Sequence, residues 1–494
     1  MQKKVVSDKY KIAMPILSAM NRDMYGVIRW CTPSIHPRVP KVNGIYDSDM
    51  SISYHSLGNP SLNTGIFKEA TELAAKTYKS DYSLFCVNGS SGSNFIVLRT
   101  LSRQFSRVNM IASRNIHKSV SVAIEDYGIN VNYLTPHYDE DFQIFIPNTI
   151  EEYEEAIISH PETNVVFISN PTYEGVSIDL PKLVKKVRSI NPKIIIYVDE
   201  AWGSLFSFSD KLPVSAMQSG ADICVQSTHK QGSGLQQTSL IHVKGTRIDR
   251  EKLMNSYASL ITTSPSFHLL ASIDAARYLM DTQGSDIIDQ LIRVADLLFK
   301  QLEELKELRV IHLADIIKKY PQVSSFDRTK ILVNIKNTGL AGYEIAKKLE
   351  VDYKIILEKY EADNILFIST FQNTACDVDE TTRRIKTCIE TLPKGSSLSK
   401  ISFPSFPIKI EKALSSYEVI KLANKSVSFD KAVGCICAED VVPYPPGIPL
   451  ITRGEVIHKE HIDYLKAIKK LKGLISLIIS NEKESKILVV DQKK

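Results

Sequence analysis

The sequence has no long apolar run, no cysteine framework and no excess of charge of one sign. A membrane-spanning helix needs about 20 consecutive apolar residues, and no stretch of the chain approaches that length. The first residues, Met1 to Lys4, lack the apolar core that a signal peptide requires. A cytoplasmic protein is therefore expected.

Charge and cysteine usage exclude further classes. The 61 basic and 56 acidic residues leave a net charge of +5, which is too even to indicate binding to nucleic acid or a membrane surface. The seven cysteines are scattered and odd in number, which predicts reduced thiols. Cys435 and Cys437 are too close for a usual zinc pair, and no second Cys/His pair has metal spacing, so no metal site is expected.

Nucleotide-binding signatures are also missing. There is no GxxxxGK[ST] string, and the glycines of residues 88–94 (Asn-Gly-Ser-Ser-Gly-Ser-Asn) lack dinucleotide spacing. That segment follows a predicted strand and opens a helix, where backbone N–H groups favour an anion. It predicts a phosphate site formed by Ser90, Ser91 and Gly92. An ordinary capped turn of serines is the alternative.

Strands and helices alternate from residue 65 onwards. Alternation of this kind predicts an α/β domain with a mostly parallel sheet between helices. In such a sheet, ligands bind beyond the carboxyl ends of the strands. The predicted strands are 84–87, 108–112, 131–134, 165–169, 194–198 and 223–226.

The remainder predicts smaller α+β domains. Helices are expected at 266–281 and from Asp286 to Leu308, followed by a unit with strands at 330–335 and 365–369. A linker at 394–400, a proline-rich turn at 443–447 and a final helix and strand near 458–480 complete the pattern. The predicted divisions are an N-terminal arm (1–60), a large ligand-binding domain (61–284), a small α+β domain (285–394) and a C-terminal domain (395–494).

Two strand ends carry a carboxylate and a lysine. Asp199 ends one apolar strand, and Lys230 follows the next strand 31 residues later. A lysine amine can form a Schiff base with pyridoxal phosphate (PLP), and an aspartate can keep the pyridine nitrogen protonated. A capping aspartate and a solvent lysine are the alternatives. The setting of Lys230, between Ser227-Thr228-His229 and a glycine-rich string, favours the PLP interpretation.

A histidine and an alanine fit the same cofactor. His117 follows the second predicted strand, where its ring can stack on an aromatic ligand, although a surface or capping histidine is the alternative. Ala201 is small enough for a flat ring to lie against the backbone.

Together these motifs resemble the Orn/Lys/Arg decarboxylase family, the fold type I, aspartate aminotransferase-like decarboxylases of basic amino acids. Asn170–Gly175, Thr262–Phe267 and Val442–Pro449 with Gly454 and Glu455 extend the resemblance over most of the chain. The family works as dimers with shared sites, often assembled further. The resemblance implies that Lys230 forms the Schiff base, Asp199 pairs with the ring nitrogen, His117 and Ala201 pack on the ring, and phosphate is bound by Ser90, Ser91, Ser227, His229 and a partner chain's Ser264.

The implied reaction is removal of the α-carboxylate of lysine, ornithine or arginine, giving a diamine or polyamine precursor. The cationic side chain of the substrate needs an acidic partner, for which the candidates are Glu439, Asp440 and Glu455. The chain departs from the family near the substrate entrance. Arg29–His36 stands where the family has His-x-Pro-Gly-His-Lys, Tyr54–Leu57 replaces paired acids, and Trp202 stands where many members have histidine.

Two alternatives remain open from the sequence. Fold type I enzymes share the lysine and the aspartate but break different bonds at Cα, so an aminotransferase or an oxidative deaminase is the second hypothesis. A non-catalytic, diverged relative is the third. The presence of both Lys230 and Asp199 argues against it.

Overall fold

The computed structural model describes residues 28–30, 36, 57–391, 406–407, 409–444, 448–470, 476–479 and 485–491. Within these residues, strands and helices alternate through the first half of the chain. The strands, numbered in chain order, are β1 (Ile28–Trp30), β2 (Tyr82–Cys86), β3 (Asn109–Ser113), β4 (Asn130–Leu134), β5 (His137–Asp139), β6 (Ile144–Ile146), β7 (Val165–Ser169), β8 (Val176–Ile178), β9 (Ile195–Asp199), β10 (Ile223–Gln226), β11 (Ser239–Val243), β12 (Arg309–Val310), β13 (Val323–Phe326), β14 (Lys330–Asn334), β15 (Ile355–Leu357), β16 (Lys359–Tyr360), β17 (Asn364–Ile368), β18 (Asn424–Ser428), β19 (Val442–Tyr444), β20 (Ser476–Ile478) and β21 (Lys486–Val490).

Several helices begin at residues whose side chains cap them. Thr149 accepts from the Glu152 amide in a capping box, and Asp179 accepts from the Lys182 amide one residue before a helix with proline in its first turn. The helices are α1 (Ile66–Thr77), α2 (Gly89–Gln104), α3 (Lys118–Asp126), α4 (Ile150–Ser159), α5 (Leu180–Ile190), α6 (Ala216–Ser219), α7 (Arg250–Leu260), α8 (Phe267–Glu303), α9 (Leu313–Lys319), α10 (Gly342–Val351), α11 (Ala375–Thr391), α12 (Ser416–Ile420), α13 (Phe429–Ala432) and α14 (Lys459–Lys469).

A seven-stranded sheet forms the centre of the large domain, in the order β2-β11-β10-β9-β7-β3-β4. The pairs from β10 through β9, β7 and β3 to β4 are parallel, and β11 is antiparallel to both of its neighbours. The predicted mostly parallel α/β sheet is therefore confirmed.

Helices cover both faces of this sheet. Side chains alternate along each strand, so Val165 and Phe167 enter one apolar cluster while Val166 and Ile168 enter the other. The first cluster includes apolar residues of α2 and the second those of α5. Burial on both faces explains why these strands read as continuous apolar runs in the sequence.

Helix α8 differs from the prediction. It runs unbroken from Phe267 to Glu303, so the predicted interruption between 281 and 286 and the predicted end at Leu308 are wrong. Gly284 lies inside the predicted gap, and a Cβ added there would lie 3.2 Å from Cβ of Phe208. The glycine thus permits close packing, and its weak helix propensity is overridden by the buried stripe on either side, which includes Met280 and Ile287.

The small domain contains the sheet β12-β14-β17-β16. β1 pairs in parallel with β15, and the fully buried Trp30 donates from Nε1 to Thr381 Oγ1 at 2.8 Å. The predicted irregular arm therefore contributes a strand at Ile28–Trp30. Most of that arm, including Tyr54–Ser56, lies outside the described residues.

The C-terminal domain contains two antiparallel pairs, β18 with β21 and β19 with β20. The predicted helix near 458 corresponds to α14, whereas β21 is not among the predicted elements. Pro443 and Tyr444, expected to begin a turn, belong to strand β19. Residues 445–447 of that turn lie outside the described residues, as does the linker 394–400. Among the helices that are described, none has the length and apolar character needed to cross a membrane.

Candidate active site

A cavity of about 730 Å³ opens at the carboxyl ends of the central strands. Ser169 ends β7, Asp199 ends β9, and Lys230 lies in the loop after β10. The other side chains at this cavity that bear on its chemistry are those of Ser90, Ser91, His117, Tyr173, Glu174, Ala201, Trp202, His229, Gln236, Gln237 and Glu358.

Asp199 is held by two donors. Asn94 Nδ2 donates to its Oδ2 at 3.1 Å, and the Ala201 amide donates to its Oδ1 at 3.1 Å. The Tyr197 hydroxyl donates to Asn94 Oδ1, which orients the Asn94 amide toward the carboxylate. Burial raises the pKa of Asp199, while Lys230 and these hydrogen bonds oppose that rise. The carboxylate is therefore fixed in direction at the floor of the cavity.

Lys230 lies beside an indole. Its Nζ is 4.0 Å from the ring centroid of Trp202, and its amide donates to Ser227 O at 3.3 Å. Burial lowers the pKa of Lys230 to about 8, with Asp199 acting in the opposite direction. An amine with this pKa has an appreciable neutral fraction near pH 7, as a nucleophilic lysine requires.

His117 is the N-cap of α3 and also lines the cavity. Its Nδ1 accepts from the Ser119 amide at 3.2 Å. Burial, followed by the charges of Lys230 and Lys118, lowers the pKa of His117 to about 4. The ring is therefore neutral at pH 7. The capping role considered from the sequence is present, and it leaves the ring beside the cavity.

His117 should make the folded protein less stable at acid pH. Its pKa is about 4 in the folded protein and near 6.5 when unfolded. The unfolded chain thus binds more protons between these values, so this contribution is complete above pH 6.5 and is lost as the pH falls toward 4. His117→Asn keeps a capping oxygen but cannot titrate. The free energy of unfolding of the apoprotein, measured in urea, should therefore fall less between pH 7 and pH 4.5 in this variant than in the unaltered protein. An unchanged difference would contradict this origin.

The N-terminal turn of α2 presents Ser90 and Ser91 to the cavity. The amide of Gly89, a residue with φ of 68°, donates to Gln237 O at 2.7 Å and fixes the loop opposite. Gly92 does not line the cavity: its amide donates to Asn88 O, and an added Cβ would lie 2.5 Å from Asn88 Cβ. Gly92 thus allows the turn to close, whereas the two serines face the ligand space.

Ser227 and His229 lie just before Lys230. Ser227 is fully buried, and its Oγ has no hydrogen-bond partner in the described part of the chain. His229 Nδ1 lies 2.8 Å from Thr238 O and donates to it, which leaves Nε2 for a ligand. A buried hydroxyl without a partner costs free energy unless something binds it. Ser227 is not among the residues that line the cavity, whereas His229 is. The unpartnered Ser227 hydroxyl and the hydroxyls of Ser90 and Ser91 are the donors that would fit a phosphate group.

Ser264 does not lie at the cavity of its own chain. It is exposed, and its amide donates to Thr262 Oγ1 at 3.3 Å. The contribution of Ser264 to a partner chain's site stays a prediction.

The three candidate acidic partners for a substrate side chain are engaged by other groups in the described structure. Both oxygens of Glu455 accept from Arg114, at 2.8 and 3.1 Å. Asp440 accepts from Ser121 Oγ at 2.7 Å, and Glu439 accepts from the Leu488 amide at 2.7 Å. Glu455 and Asp440 connect the C-terminal domain to the large domain, and Glu439 forms a hydrogen bond within the C-terminal domain. None of the three lines the cavity.

Two other carboxylates do line it, Glu174 and Glu358. The Tyr173 hydroxyl donates to Glu358 Oε1 at 2.8 Å, and Lys359 Nζ donates to Glu174 Oε1 at 2.6 Å. Glu174 belongs to the string Asn170–Gly175, which the family resemblance includes without assigning this residue a role. Glu358 comes from the small domain, and no local pattern signals it.

Part of the altered N-terminal segment reaches the same region. The His36 amide donates to Ser233 Oγ at 3.2 Å, three residues beyond Lys230. The His36 ring packs edge-on against Phe371, with 5.5 Å between centroids. Trp202, the other departure from the family pattern, lines the cavity directly.

The central sheet and the position of Lys230 and Asp199 beyond its strand ends define a fold type I architecture, that of a large class of PLP-dependent enzymes. Family comparison agrees: the Orn/Lys/Arg decarboxylase major-domain model matches residues 43–326, and the C-terminal-domain model of the same family matches residues 399–475. The chain belongs to the Orn/Lys/Arg decarboxylase family.

Among curated proteins, the arginine decarboxylase of Halalkalibacterium halodurans is 32% identical over 407 residues, covering 81% of each chain. The arginine decarboxylase of Bacillus subtilis is 30% identical over 404 residues, again with 81% of each chain covered. Among solved structures, a Francisella novicida lysine decarboxylase superposes with a TM-score of 0.74 at 21% identity, covering 90% of this chain and 75% of that one. That last similarity concerns the fold.

Proposed function

We propose that the protein is a PLP-dependent decarboxylase of a basic L-amino acid. The observation that carries this proposal is the convergence of Lys230, Asp199 and two carboxylates, Glu174 and Glu358, on one cavity. The first pair suits the cofactor, and the second pair suits a cationic substrate side chain. Membership in the Orn/Lys/Arg decarboxylase family supports the same activity.

The residues at the cavity can be assigned to different parts of the cofactor. Asp199 lies where it can bind a protonated pyridine nitrogen, and His117 and Ala201 lie at the cavity where they can pack on the two ring faces. Ser90, Ser91 and Ser227 supply hydroxyl donors for a phosphate, and His229 Nε2 can donate to it when the ring is protonated. When bound, PLP supplies an electron sink for the bonding pair released as CO2 departs. Lys230 supplies the amine that holds the cofactor and can return a proton to Cα.

The carboxylates are arranged to leave negative charge at the cavity. Lys359 Nζ lies 2.6 Å from Glu174 and 2.7 Å from Glu361, so one buried lysine is shared by two carboxylates. Burial lowers the pKa of Lys359, but these carboxylates raise it overall, and the lysine stays charged. Glu358 adds a further carboxylate at the wall, so Glu174, Glu358 and Glu361 outnumber the two neighbouring lysines, Lys359 and Lys330. A cationic substrate side chain would complement this charge, whereas an acidic one would be repelled.

The test is a product screen. The PLP-loaded protein is incubated separately with arginine, lysine and ornithine, and CO2 and amine products are quantified by mass spectrometry. Arginine is tested first, because the two relatives named above are arginine decarboxylases. Stoichiometric amine and CO2 from one of the three would support the proposal. Keto acid or peroxide in place of CO2 would overturn it.

Glu358→Gln should weaken substrate binding without disturbing the cofactor. The amide keeps an acceptor for the Tyr173 hydroxyl but removes the charge that faces a cationic side chain. Loss of a charge-assisted contact of about 1.5–3 kcal/mol predicts a rise in KM of roughly ten- to hundredfold. Steady-state kinetics measures it, with Glu344→Gln in helix α10 as the control. An unchanged KM would assign substrate recognition to other residues.

We also infer a cytoplasmic homodimer in which Ser264 completes the partner's phosphate site. Ser264 is exposed and is not among the residues that line the cavity of its own chain, which supports this role. A purified protein that sediments as a monomer while fully active would contradict it.

A further inference from the structure

The indole of Trp202 contacts two lysine side chains. Lys230 Nζ lies 4.0 Å from the ring centroid, and Lys330 Nζ lies 4.1 Å from the same centroid. Both distances are well within the range of a cation–π contact. Trp202 itself is only 7% exposed, so these contacts are largely shielded from water and correspondingly stronger.

Lys330 is the first residue of β14 and comes from the small domain, not from the sheet that carries Lys230. It is 2% exposed, and its Nζ donates to Tyr173 O at 2.5 Å. The Tyr173 ring in turn packs edge-on against Trp202, with 4.9 Å between centroids. Lys330 therefore ties together two aromatic residues that line the cavity.

Charged groups surround both amines. Burial lowers the pKa of Lys330 to about 8, as it does that of Lys230, and the charge of Lys330 further lowers the pKa of Lys230. The neighbours also include two histidines whose pKa values are lowered by burial and by Lys230, so that they are neutral at pH 7. The titratable groups that face the two amines are Asp199, Asp327, Glu174, Glu358, Lys359, His117 and His229.

We propose that Lys330 is a positioning residue for Lys230: it holds Trp202 and Tyr173 in place, and its ammonium charge favours the neutral, nucleophilic form of the Lys230 amine. This inference rests on the proposed PLP function. In cofactor capture, the Lys230 nitrogen joins the aldehyde carbon in a C=N bond, the aldehyde oxygen leaves as water, and the amine must be neutral to attack. The Lys330 ammonium, which contacts the same indole, supplies that bias by repelling a second positive charge on Lys230.

The first test uses the apoprotein and needs no cofactor. The chain has two tryptophans, so a Trp30→Phe background leaves Trp202 as the single indole reporter. Its emission, followed against pH, should show a transition centred near pH 8, where the two adjacent amines titrate. Adding Lys330→Met should shrink this transition and move the remainder to higher pH. Identical curves with and without Lys330 would overturn the proposal.

The second test measures PLP capture by the apoprotein, as the rate at which the visible absorbance of bound cofactor appears. Well below the midpoint, each pKa unit changes the neutral amine fraction about tenfold. Capture by Lys330→Met at pH 7 is therefore expected to slow by about three- to tenfold and to recover at higher pH, whereas Lys330→Arg, which keeps the positive charge, should retain the unaltered rate at pH 7. Lys348→Met, which removes a partly exposed small-domain lysine paired with Asp352, is the matched control and should behave as the unaltered protein.

Removing Lys330 leaves Asp327 buried without its neighbouring charge, and Lys330→Met can fail to fold for that reason. Lys330→Met/Asp327→Asn restores the balance, since an asparagine oxygen can still accept from the Thr329 amide and hydroxyl. The double variant should show the same upward displacement of the capture profile, and a profile identical to the unaltered one would overturn the proposal. If even the unaltered protein fails to capture PLP, the proposed function fails, while the fluorescence titration still decides the role of Lys330.

Discussion

Replacement of Lys230 by alanine is expected to abolish both covalent retention of PLP and amine production. The Lys230 side chain carries an amine with a lowered pKa, and among the described residues that line the cavity there is no other lysine. Loss of the group that both holds the cofactor and moves a proton predicts a fall in turnover of about 10²–10⁴-fold or more. Borohydride reduction followed by peptide mass spectrometry measures the attachment, and CO2 release measures turnover.

The matched control is Lys211→Ala. Lys211 is an exposed lysine of the same domain that forms an ion pair with Asp289 at 2.8 Å, so its loss should leave both measurements unchanged. Attachment of PLP to a different lysine in the unaltered protein would contradict the assignment of Lys230. Full activity of Lys230→Ala would contradict the proposed chemistry as a whole.

The neighbouring positions of Asp199 and Lys230 could be predicted because they depend on local pattern and on one topological rule. Each follows an apolar run of strand length, and β9 and β10 pair in parallel with Val225 opposite Asp199. Parallel neighbours bring their carboxyl ends to one edge. Motifs at several such strand ends, taken in chain order, are therefore sufficient to identify most of the cavity wall from the amino-acid sequence.

Residues contributed by other domains escape prediction for a physical reason. Glu358 and Lys330 belong to small-domain segments whose apolar pattern predicts strands but carries no information about which residue of another domain they face. The same holds for Arg114 and Glu455, which are 341 residues apart and form a buried ion pair. Proximity to the proline-rich C-terminal motif suggests Glu455 as a substrate ligand. Its actual partner, Arg114, is determined by tertiary packing.

Burial also distinguishes carboxylates that look alike in the sequence. Asp199 and Glu200 are adjacent, yet Asp199 faces the cavity while Glu200 is fully buried and accepts from Gln226 Nε2 and the Ala216 amide. Burial raises the pKa of Glu200 to about 8. The alternation of side chains at a strand end directs one carboxylate to the ligand and the next to the packing beneath the loop.

Asp199→Asn should separate cofactor capture from catalysis. The amide oxygen can still accept from the Ala201 amide, but the NH2 group then faces Asn94 Nδ2, whose own oxygen is already engaged by Tyr197. Two opposed donors cost about 1–3 kcal/mol of stability. The larger effect is on turnover, because an amide cannot keep the pyridine nitrogen protonated. Loss of that electrostatic support predicts a fall of roughly 10²–10³-fold in kcat.

Capture of PLP by Lys230 does not require the charge of Asp199, so the visible absorbance of bound cofactor should survive in Asp199→Asn while CO2 release falls. Asp179 is a partly exposed capping residue of α5, and Asp179→Asn tests whether an aspartate-to-asparagine change has any general effect. Thermal unfolding of both variants separates loss of stability from loss of function. If Asp199→Asn decarboxylated at the unaltered rate, the ring nitrogen would not need a carboxylate, and the role assigned to Asp199 would be wrong. If capture and turnover were lost together, Asp199 would act in placing the cofactor and not in activating it.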